Sequence, residues 1–383
     1  MASTDTSATS HLTSTTPTVI NNRLWSQHIK NLTPYVPGEQ PKLANLCKLN
    51  TNENPFAPSP RVAEAIVAAL ANQADTLRRY PSFESDELRQ ALADLHGLDL
   101  NQVFVGNGSD EVLAHIFTCF FVKDRPVLTP EIGYSFYPVY ADTFHIELAK
   151  IALKADFSID VDDYRRPCGG IILANPNAPT GILLARGDIE KLLKEHTNAV
   201  VVIDEAYIDF ADVAHASAVE LVKQYDNLVV VQTFSKSRAL AGLRVGMAFA
   251  NPSLIEALTR YKNSFNSYPI DTLAQAGALA SLQDVAYFTT RCHEIIALRQ
   301  DLSARLTAQG FDVLPSQANF VFAKPPVGLM NGNAAQIFAA LREQGIVVRY
   351  FNQPKIRDYL RITVGTAEQN QRLLNALTSL ATL

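Results

Sequence analysis

The sequence is poor in cysteine and has no long apolar run. Its four cysteines lie far apart, with no CxxC or Cys/His spacing, so we predict free thiols and neither a zinc site nor a disulfide framework. Free thiols fit a reducing compartment. No run approaches the roughly 20 apolar residues that a membrane-spanning helix needs. We therefore predict a cytoplasmic protein with no bound metal and no membrane partner.

Basic residues are not in excess either. The chain has 33 Lys and Arg residues against 38 Asp and Glu residues, a formal net charge of -5, and the basic residues form no runs. A nucleic-acid-binding protein needs a basic patch that contacts phosphates, so this composition argues against a nucleic-acid partner. Small molecules are the predicted ligands.

The first 18 residues are dominated by Ser, Thr and Ala, with no basic start and no apolar stretch. This composition argues against a secretory signal, and the absence of Lys and Arg before Arg23 argues against a transit peptide. We predict a disordered or flexible tail over residues 1–30, followed by an N-terminal arm over residues 31–55.

Short apolar runs alternate with helical patterns from residue 59 to about residue 285. The predicted strands are residues 103–106, 126–129, 146–153, 171–175, 199–204, 227–233 and 245–250. Several are nearly unbroken β-branched runs, as expected of strands buried on both faces. The predicted helices are residues 61–72, 84–96, 110–121, 188–196 and 253–262. We predict an α/β fold, with a mainly parallel sheet and helices on both faces, in a large domain over residues 56–284.

A helix predicted over residues 285–309 leaves this alternation and ends at Gly310. Short strands are predicted after it at residues 311–314, 319–323, 346–349 and 359–364, with helices at residues 334–344 and 368–380. These elements predict a smaller C-terminal α+β domain over residues 285–383.

Two charged residues come at the ends of predicted buried strands. Lys236 follows the strand at residues 227–233, at the sheet edge where α/β proteins bind ligands. A lysine that is partly desolvated there has a lowered pKa and can condense with an aldehyde, although a solvated surface lysine is the alternative. Asp204 ends another buried strand, where its carboxylate either caps the strand or pairs with a cationic ligand.

Two loops after predicted strands also have the composition of ligand sites. Residues 105–111, Val-Gly-Asn-Gly-Ser-Asp-Glu, join a strand to a helix, whose free N–H groups suit a phosphate. The alternative is that Ser109 or Asp110 only caps the helix. Residues 175–181, Asn-Pro-Asn-Ala-Pro-Thr-Gly, form either a fixed binding loop or an ordinary turn.

The segment from Ser235 to Gly246 resembles the motif S-K-x-x-x-L-A-G-L-R-x-G of the histidinol-phosphate aminotransferases. That family belongs to the fold type I aminotransferases, which depend on pyridoxal 5'-phosphate (PLP), and the resemblance extends from about Leu32 to Leu380. It implies that Lys236 holds PLP and that the reaction is a ping-pong transamination. Histidinol phosphate and 2-oxoglutarate would give imidazole-acetol phosphate and glutamate, a step of histidine biosynthesis.

The resemblance also implies roles for other residues around the cofactor. Asp204 would keep the pyridine nitrogen protonated, and Asn177 and Tyr207 would contact the phenolic oxygen. Tyr134 would cover the ring, although a core aromatic is the alternative, and we expect the nearby Tyr137 to pack into the core. The residues implied to bind the phosphate are Gly108, Ser109, Asp110, Ser235 and Arg244. Ala178 departs from the family's commoner NPNNPTG loop, at a position to which we assign no chemistry.

At the substrate end, Arg349 and Arg361 are the expected anion-binding residues, unless they are edge-strand charges that point to solvent. A guanidinium binds a carboxylate or a phosphate, so these arginines do not name the substrate. An aromatic-amino-acid aminotransferase, a threonine-phosphate decarboxylase and a non-catalytic PLP-binding module remain alternatives. Three further residues match the family's substrate-binding segments: Tyr35, Asn52 and Glu53.

Tyr80, in Arg-Tyr-Pro, matches a family tyrosine that reaches the cofactor phosphate of the neighbouring subunit. This match implies a homodimer with shared active sites. For a tyrosine beside a proline, plain packing or turn structure is the alternative.

Overall fold

The computed structural model describes residues 22–41, 45–70, 75–121 and 124–381. Most of the tail predicted over residues 1–30, and residues 42–44 of the predicted arm, therefore lie outside the described residues. The chain before Tyr35 is a unit of its own. Its helix α1 (Gln27–Asn31) begins after Ser26, whose hydroxyl accepts a hydrogen bond from the Ile29 amide.

The strands are short. In chain order they are β1 (Cys47–Lys48), β2 (Val103–Asn107), β3 (Val127–Pro130), β4 (Leu148–Ile151), β5 (Gly170–Ala174), β6 (Val201–Asp204), β7 (Leu228–Thr233), β8 (Val245–Ala250), β9 (Asp312–Val313), β10 (Phe320–Lys324), β11 (Ile346–Val347), β12 (Arg349–Tyr350) and β13 (Leu360–Thr363). Strands β3, β5, β6, β7 and β8 of the central sheet are fully buried.

Seven of these strands form the central sheet, in the order β2-β8-β7-β6-β5-β3-β4. The strands from β7 to β4 are parallel, whereas β8 runs antiparallel to both of its neighbours, β2 and β7. The predicted α/β class with a mainly parallel sheet is confirmed. Because β8 runs the opposite way, its first residues meet the last residues of β2 and β7 at one edge of the sheet.

The remaining helices are α2 (Pro60–Ala69), α3 (Asp86–His96), α4 (Gly108–Phe120), α5 (Tyr137–Phe144), α6 (Arg186–Glu195), α7 (Pro252–Phe265), α8 (Thr272–Gln283), α9 (Val285–Ala308), α10 (Ala334–Glu343) and α11 (Ala367–Ala381). Two of them, α5 and α8, were not predicted. Helix α8 is rich in alanine and buried on several sides, so it has no single apolar stripe. Within the described residues, no helix is long and apolar enough to cross a bilayer.

The C-terminal part of the chain contains a four-stranded antiparallel sheet in the order β12-β13-β10-β9. The single strand predicted over residues 346–349 was wrong. Its first half, β11, pairs with β1 in parallel, whereas its second half, β12, pairs with β13. The apolar run is continuous, but the pairing partner changes at the buried Val348. The domain boundary at residues 284 and 285 stays a prediction.

The central sheet and the C-terminal elements have separate hydrophobic cores. One core packs on each face of the central sheet, and the C-terminal core is built from α9, α10, α11, β10 and β13. Tyr207 and Ala178, which follow β6 and β5, belong to this C-terminal core. The residues after β5, β6 and β7 therefore lie between the central sheet and the C-terminal elements.

Candidate active site

A cavity of about 230 Å³ opens at this carboxyl edge. It is lined by residues at the carboxyl ends of the central strands, by residues of the C-terminal sheet and by segments on both sides of β1. The predicted site residues in its wall are Tyr35, Asn52, Ser109, Asp110, Tyr134, Asp204, Tyr207, Ser235, Lys236, Arg244, Arg349 and Arg361. The structure thus brings together most residues that the sequence singled out.

Lys236 supplies an amine to the cavity. It is half-buried, and its Nζ donates a hydrogen bond to the Thr51 carbonyl at 3.1 Å. Burial, and next the positive charge of Arg361, lower the pKa of Lys236 to about 8. A larger fraction of this amine is therefore neutral and nucleophilic at neutral pH than for an ordinary lysine.

Asp204, the last residue of β6, places a carboxylate in the same wall. The Tyr137 hydroxyl donates to its Oδ2 at 2.8 Å. Oδ1 is buried and has no hydrogen-bond partner in the described part of the chain. Burial raises the pKa of Asp204 to about 6, whereas the hydrogen bonds from Tyr137 and the Ala206 backbone lower it. A buried carboxylate oxygen without a partner favours a ligand that donates a hydrogen bond.

Tyr207 is held by Asn52. The Asn52 side-chain amide donates to the Tyr207 hydroxyl oxygen at 2.9 Å, and the Thr363 hydroxyl donates to Asn52 Oδ1 at 3.1 Å. Since Tyr207 accepts from Asn52, its own hydroxyl proton is available to a ligand. Asn52 therefore orients Tyr207, and its contact with a substrate stays a prediction.

An anion cradle forms where β2, β7 and β8 meet. Helix α4 begins at Gly108, and a Cβ on Gly246 would lie only 2.2 Å from the Ser109 amide nitrogen, so this close approach requires glycine. The Ser235 hydroxyl accepts from Thr233 and keeps its own proton for a ligand. With the Arg244 guanidinium and the first amides of α4, these donors suit a phosphate.

Asp110 and Tyr134 complete this end of the cavity. Arg244 Nη2 lies 3.1 Å from Asp110 Oδ2, and the Tyr134 hydroxyl donates to Asp110 Oδ1 at 3.1 Å. The Asp110 carboxylate therefore orients both the cationic group and the aromatic ring. We predicted Asp110 as part of the phosphate-binding turn or as a helix cap, and did not predict this role of its carboxylate.

Asn177 is buried but does not line the cavity. Its side-chain amide donates to the Ile132 carbonyl and to Thr180, both at 3.1 Å, and its Oδ1 has no partner in the described residues. The neighbouring Ala178 and Pro179 do line the cavity. The Ala178 side chain thus shapes the wall, and that this position takes no part in the chemistry stays a prediction.

Two arginines define the other end. Arg361 lies on β13, a central strand of its sheet, and its Nη2 donates to the Asn50 carbonyl at 2.8 Å. Arg349 lies on the edge strand β12 and makes only long contacts of 3.4 Å with the carbonyls of residues 36 and 37. Both guanidinium groups pack near the Phe351 ring, at 5.4 and 5.5 Å from its centroid. Neither side chain simply points to solvent, because both line the cavity.

Besides Asn177, three predicted residues are not in the cavity wall. Gly108 sits behind Arg244, which a Cβ at this position would approach to 2.6 Å. Glu53 is exposed. Its carboxylate forms an ion pair with Lys48 and accepts a hydrogen bond from the Thr51 hydroxyl, outside the cavity. Tyr80 is 80% exposed and stacks on Tyr268, with ring centroids 4.6 Å apart.

Tyr137 is the principal residue that sequence reasoning missed. We predicted it as an ordinary core aromatic, and it is indeed only 1% exposed. The available signal was chemical, because a buried tyrosine hydroxyl needs a hydrogen-bond partner. Which acceptor it reaches is decided by the position of α5, and that helix was not predicted.

The sequence profile of the aminotransferase class I and II family matches residues 44–377. The chain is 65% identical to histidinol-phosphate aminotransferase 2 of Psychrobacter arcticus, over 94% of this chain and 96% of that protein. It is 57% identical to the histidinol-phosphate aminotransferase of Acinetobacter baylyi, over 93% and 96% of the two chains. This chain belongs to the histidinol-phosphate aminotransferase family.

Solved structures agree on the fold. The histidinol-phosphate aminotransferase of Sinorhizobium meliloti in complex with PLP superposes with a TM-score of 0.84 at 24% identity, over 94% of this chain and 98% of that one. The L-threonine-O-3-phosphate decarboxylase of Porphyromonas gingivalis gives a TM-score of 0.74, also at 24% identity, over 88% and 99%. The predicted fold type I architecture is confirmed. Because both activities occur on this fold, the fold does not distinguish between them.

Proposed function

We propose that the protein is a PLP-dependent aminotransferase that transfers the amino group of histidinol phosphate to 2-oxoglutarate. One observation carries this proposal. A single cavity combines the Lys236 amine, the unpaired Asp204 oxygen and a phosphate cradle at one end with two arginines at the other. The names of the most similar relatives supply the substrate.

The residues of the cavity fit PLP. Asp204 Oδ1 needs a donor, which a protonated pyridine nitrogen provides. The first turn of α4, Ser235 and Arg244 offer hydrogen-bond donors to a phosphate. The Tyr207 hydroxyl, which accepts from Asn52, can donate its own hydrogen bond to a phenolate oxygen. When bound, PLP supplies an electron sink that stabilises negative charge on the substrate carbon.

Lys236 has two tasks in this proposal. Its Nζ holds the cofactor covalently, which requires the neutral amine that burial and Arg361 favour. When the amino donor displaces it, the same Nζ accepts a proton from the substrate carbon as general base. The hydrogen bond to the Thr51 carbonyl keeps the amine in the cavity for both tasks.

Arg361 and Arg349 bind the substrate anion. In a ping-pong cycle one cavity must accept two substrates in turn, here a phosphate monoester and a dicarboxylate. Guanidinium groups form paired hydrogen bonds with either anion, so this arginine pair suits both half-reactions.

The half-reactions can be observed separately. The purified protein is loaded with PLP and mixed with histidinol phosphate, phenylalanine or threonine phosphate without any oxo-acid, while the yellow absorbance is followed. Bleaching by histidinol phosphate, reversed by 2-oxoglutarate, supports the proposal. Much faster bleaching by phenylalanine indicates an aromatic aminotransferase, and release of carbon dioxide from threonine phosphate indicates a decarboxylase. A protein that never becomes yellow with PLP contradicts the cofactor assignment.

We also propose a homodimer in which Tyr80 serves the partner's active site. Tyr80 is outside the cavity of its own chain, and its neighbours Leu77, Phe83, Phe265 and Tyr268 are large exposed apolar residues as well. Exposed apolar side chains in such number are typical of an interaction surface. A second copy of the chain is the occupant that the resemblance implies.

Mixed dimers of two variants test this arrangement. Lys236→Ala and Tyr80→Ala are each expected to be inactive or impaired alone. If Tyr80 serves the partner, each mixed dimer has one site with both residues intact, and mixing restores about a quarter of wild-type activity. If Tyr80 serves its own chain, no mixed dimer has an intact site and nothing is restored.

A further inference from the structure

Three tyrosines at three-residue spacing reach the acidic residues of the site. The Tyr134 hydroxyl donates to the Asp110 carboxylate at 3.1 Å, Tyr137 to the Asp204 carboxylate at 2.8 Å, and Tyr140 to the Asp110 carbonyl at 2.9 Å. Helix α5 begins at Tyr137, so the helical repeat places Tyr137 and Tyr140 on one face. The segment thus fixes both acidic side chains from one side.

Tyr137 is the member of this group that contacts Asp204. Its ring lies edge-on to the Tyr134 ring, with centroids 5.4 Å apart, and it also packs near Phe117. A ring held in this way has one accessible position, and its hydroxyl is fixed with it.

The contact decides which carboxylate oxygen serves a ligand. Because Tyr137 occupies Oδ2, Asp204 keeps one orientation and Oδ1 is left for a donor in the cavity. A hydrogen bond to an ionised carboxylate also favours its charged form, against the effect of burial. We propose that Tyr137 is a positioning residue that acts through Asp204 to bind and protonate the pyridine nitrogen of PLP. This inference rests on the proposed cofactor.

Other ionisable groups near Asp204 do not compete for this role. Those that face it are Tyr134, Tyr137 and Tyr140 from this segment, Asp110 from α4, Tyr207 beyond β6, and Lys236 across the cavity. Burial raises the pKa of each of these tyrosines, so all four remain protonated near neutral pH. Tyr137 alone among them donates to the carboxylate that would meet the pyridine nitrogen.

The test compares Tyr137→Phe with Tyr140→Phe. Both variants remove one buried hydroxyl from the same helix, but only the first removes the donor to Asp204. PLP binding to the apoprotein is measured by absorbance from pH 5 to 9, and the pyridine nitrogen is followed by NMR with ¹⁵N-labelled PLP. Thermal unfolding of each apoprotein reports the structural effect of losing a hydroxyl.

For Tyr137→Phe we expect PLP affinity to fall about 10- to 100-fold, the usual effect of losing a hydrogen bond to a charged group. Loss of the donor raises the Asp204 pKa, so binding on the acid side should be lost at a higher pH than in wild type. The ¹⁵N signal should move toward that of unprotonated pyridine. Tyr140→Phe should stay within about threefold of wild type at all pH values.

Equal effects of the two variants on PLP affinity and on the ¹⁵N signal would overturn the inference. If wild type itself does not bind PLP, the proposed function fails instead, so the two failures are distinguishable. If Tyr137→Phe does not fold, 3-fluorotyrosine at position 137 provides a second arm. 3-Fluorotyrosine keeps the ring and is a stronger hydrogen-bond donor, so PLP binding should be lost only at a lower pH than in wild type. If the pH at which binding is lost does not change, the proposed role of Tyr137 is contradicted.

Discussion

At one end of the cavity, Asp204, Ser235 and Lys236 follow buried parallel strands, and hydrogen bonds fix Asp204 and Lys236 in place. At the other end, Arg349 and Arg361 belong to a separate antiparallel sheet, and Arg349 makes only long contacts. Hydrogen bonds hold the side chains of the first end in place, which suits a cofactor that stays bound through the whole cycle. The long contacts of Arg349 at the second end suit two different anions bound in turn. The predictions below probe this difference, from the largest expected effect to the smallest.

Replacement of Lys236 should have the largest effect. Lys236→Ala removes both the covalent anchor and the general base, so turnover should fall by about four orders of magnitude or more. Lys236→Arg keeps a positive charge, but a guanidinium stays protonated near neutral pH and cannot condense with an aldehyde. This variant should be equally inactive. Steady-state transamination with added PLP measures both. Normal turnover by either variant would show that another group is the base.

Asp204→Asn keeps the shape of the side chain but removes its charge, and we expect PLP affinity and kcat to fall about 100-fold or more. The adjacent Glu205→Gln is the matched control. Glu205 is also a buried carboxylate, but it binds Ser217, Ala218 and Gln232 and does not line the cavity. Its replacement should lower the unfolding temperature with little change in PLP affinity. Similar PLP affinities for the two variants would contradict the assignment of Asp204.

The two arginines should respond unequally to replacement by lysine. Arg361→Lys should lower kcat/KM for both substrates about 10- to 100-fold, because a paired guanidinium contact from a half-buried position on a central strand is lost. Arg349→Lys should cost about tenfold or less, since this side chain lies at the edge and is partly solvated. The absorbance of bound PLP should change in neither variant. A larger loss of kcat/KM for Arg349→Lys than for Arg361→Lys would contradict this ranking of the two arginines.

The smallest expected effect is the influence of Arg361, at the substrate end of the cavity, on the Lys236 amine at the cofactor end. The reaction of the apoprotein with PLP should accelerate as pH rises and level off above about 8, because only the neutral Lys236 amine reacts. The positive charge of Arg361 lowers this pKa, so Arg361→Gln should move the plateau to higher pH. Stopped-flow absorbance at a series of pH values measures the midpoint. An unmoved midpoint would mean that the substrate end does not influence the amine.

The parallel sheet and most of the cavity wall could be predicted because their signals are local. A buried strand such as residues 228–233 is a continuous apolar run, and a parallel strand delivers the next polar residue to the carboxyl edge. The motif from Ser235 to Gly246 also lies in one stretch of chain. Helix α8 was not predicted, because a helix buried on several sides has no polar face to give it a period.

The sequence by itself determined which residue types reach the carboxyl edge, since each follows its own strand. Tertiary structure decided which of them meet and how they are oriented. Tyr137 binds Asp204 only because α5 packs on one face of the central sheet, and Asn52 orients Tyr207 across 155 positions of chain. Glu53 pairs with Lys48 instead of reaching the cavity. The physical reason is that a side chain's type is local, whereas its hydrogen-bond partner depends on the packing of distant segments.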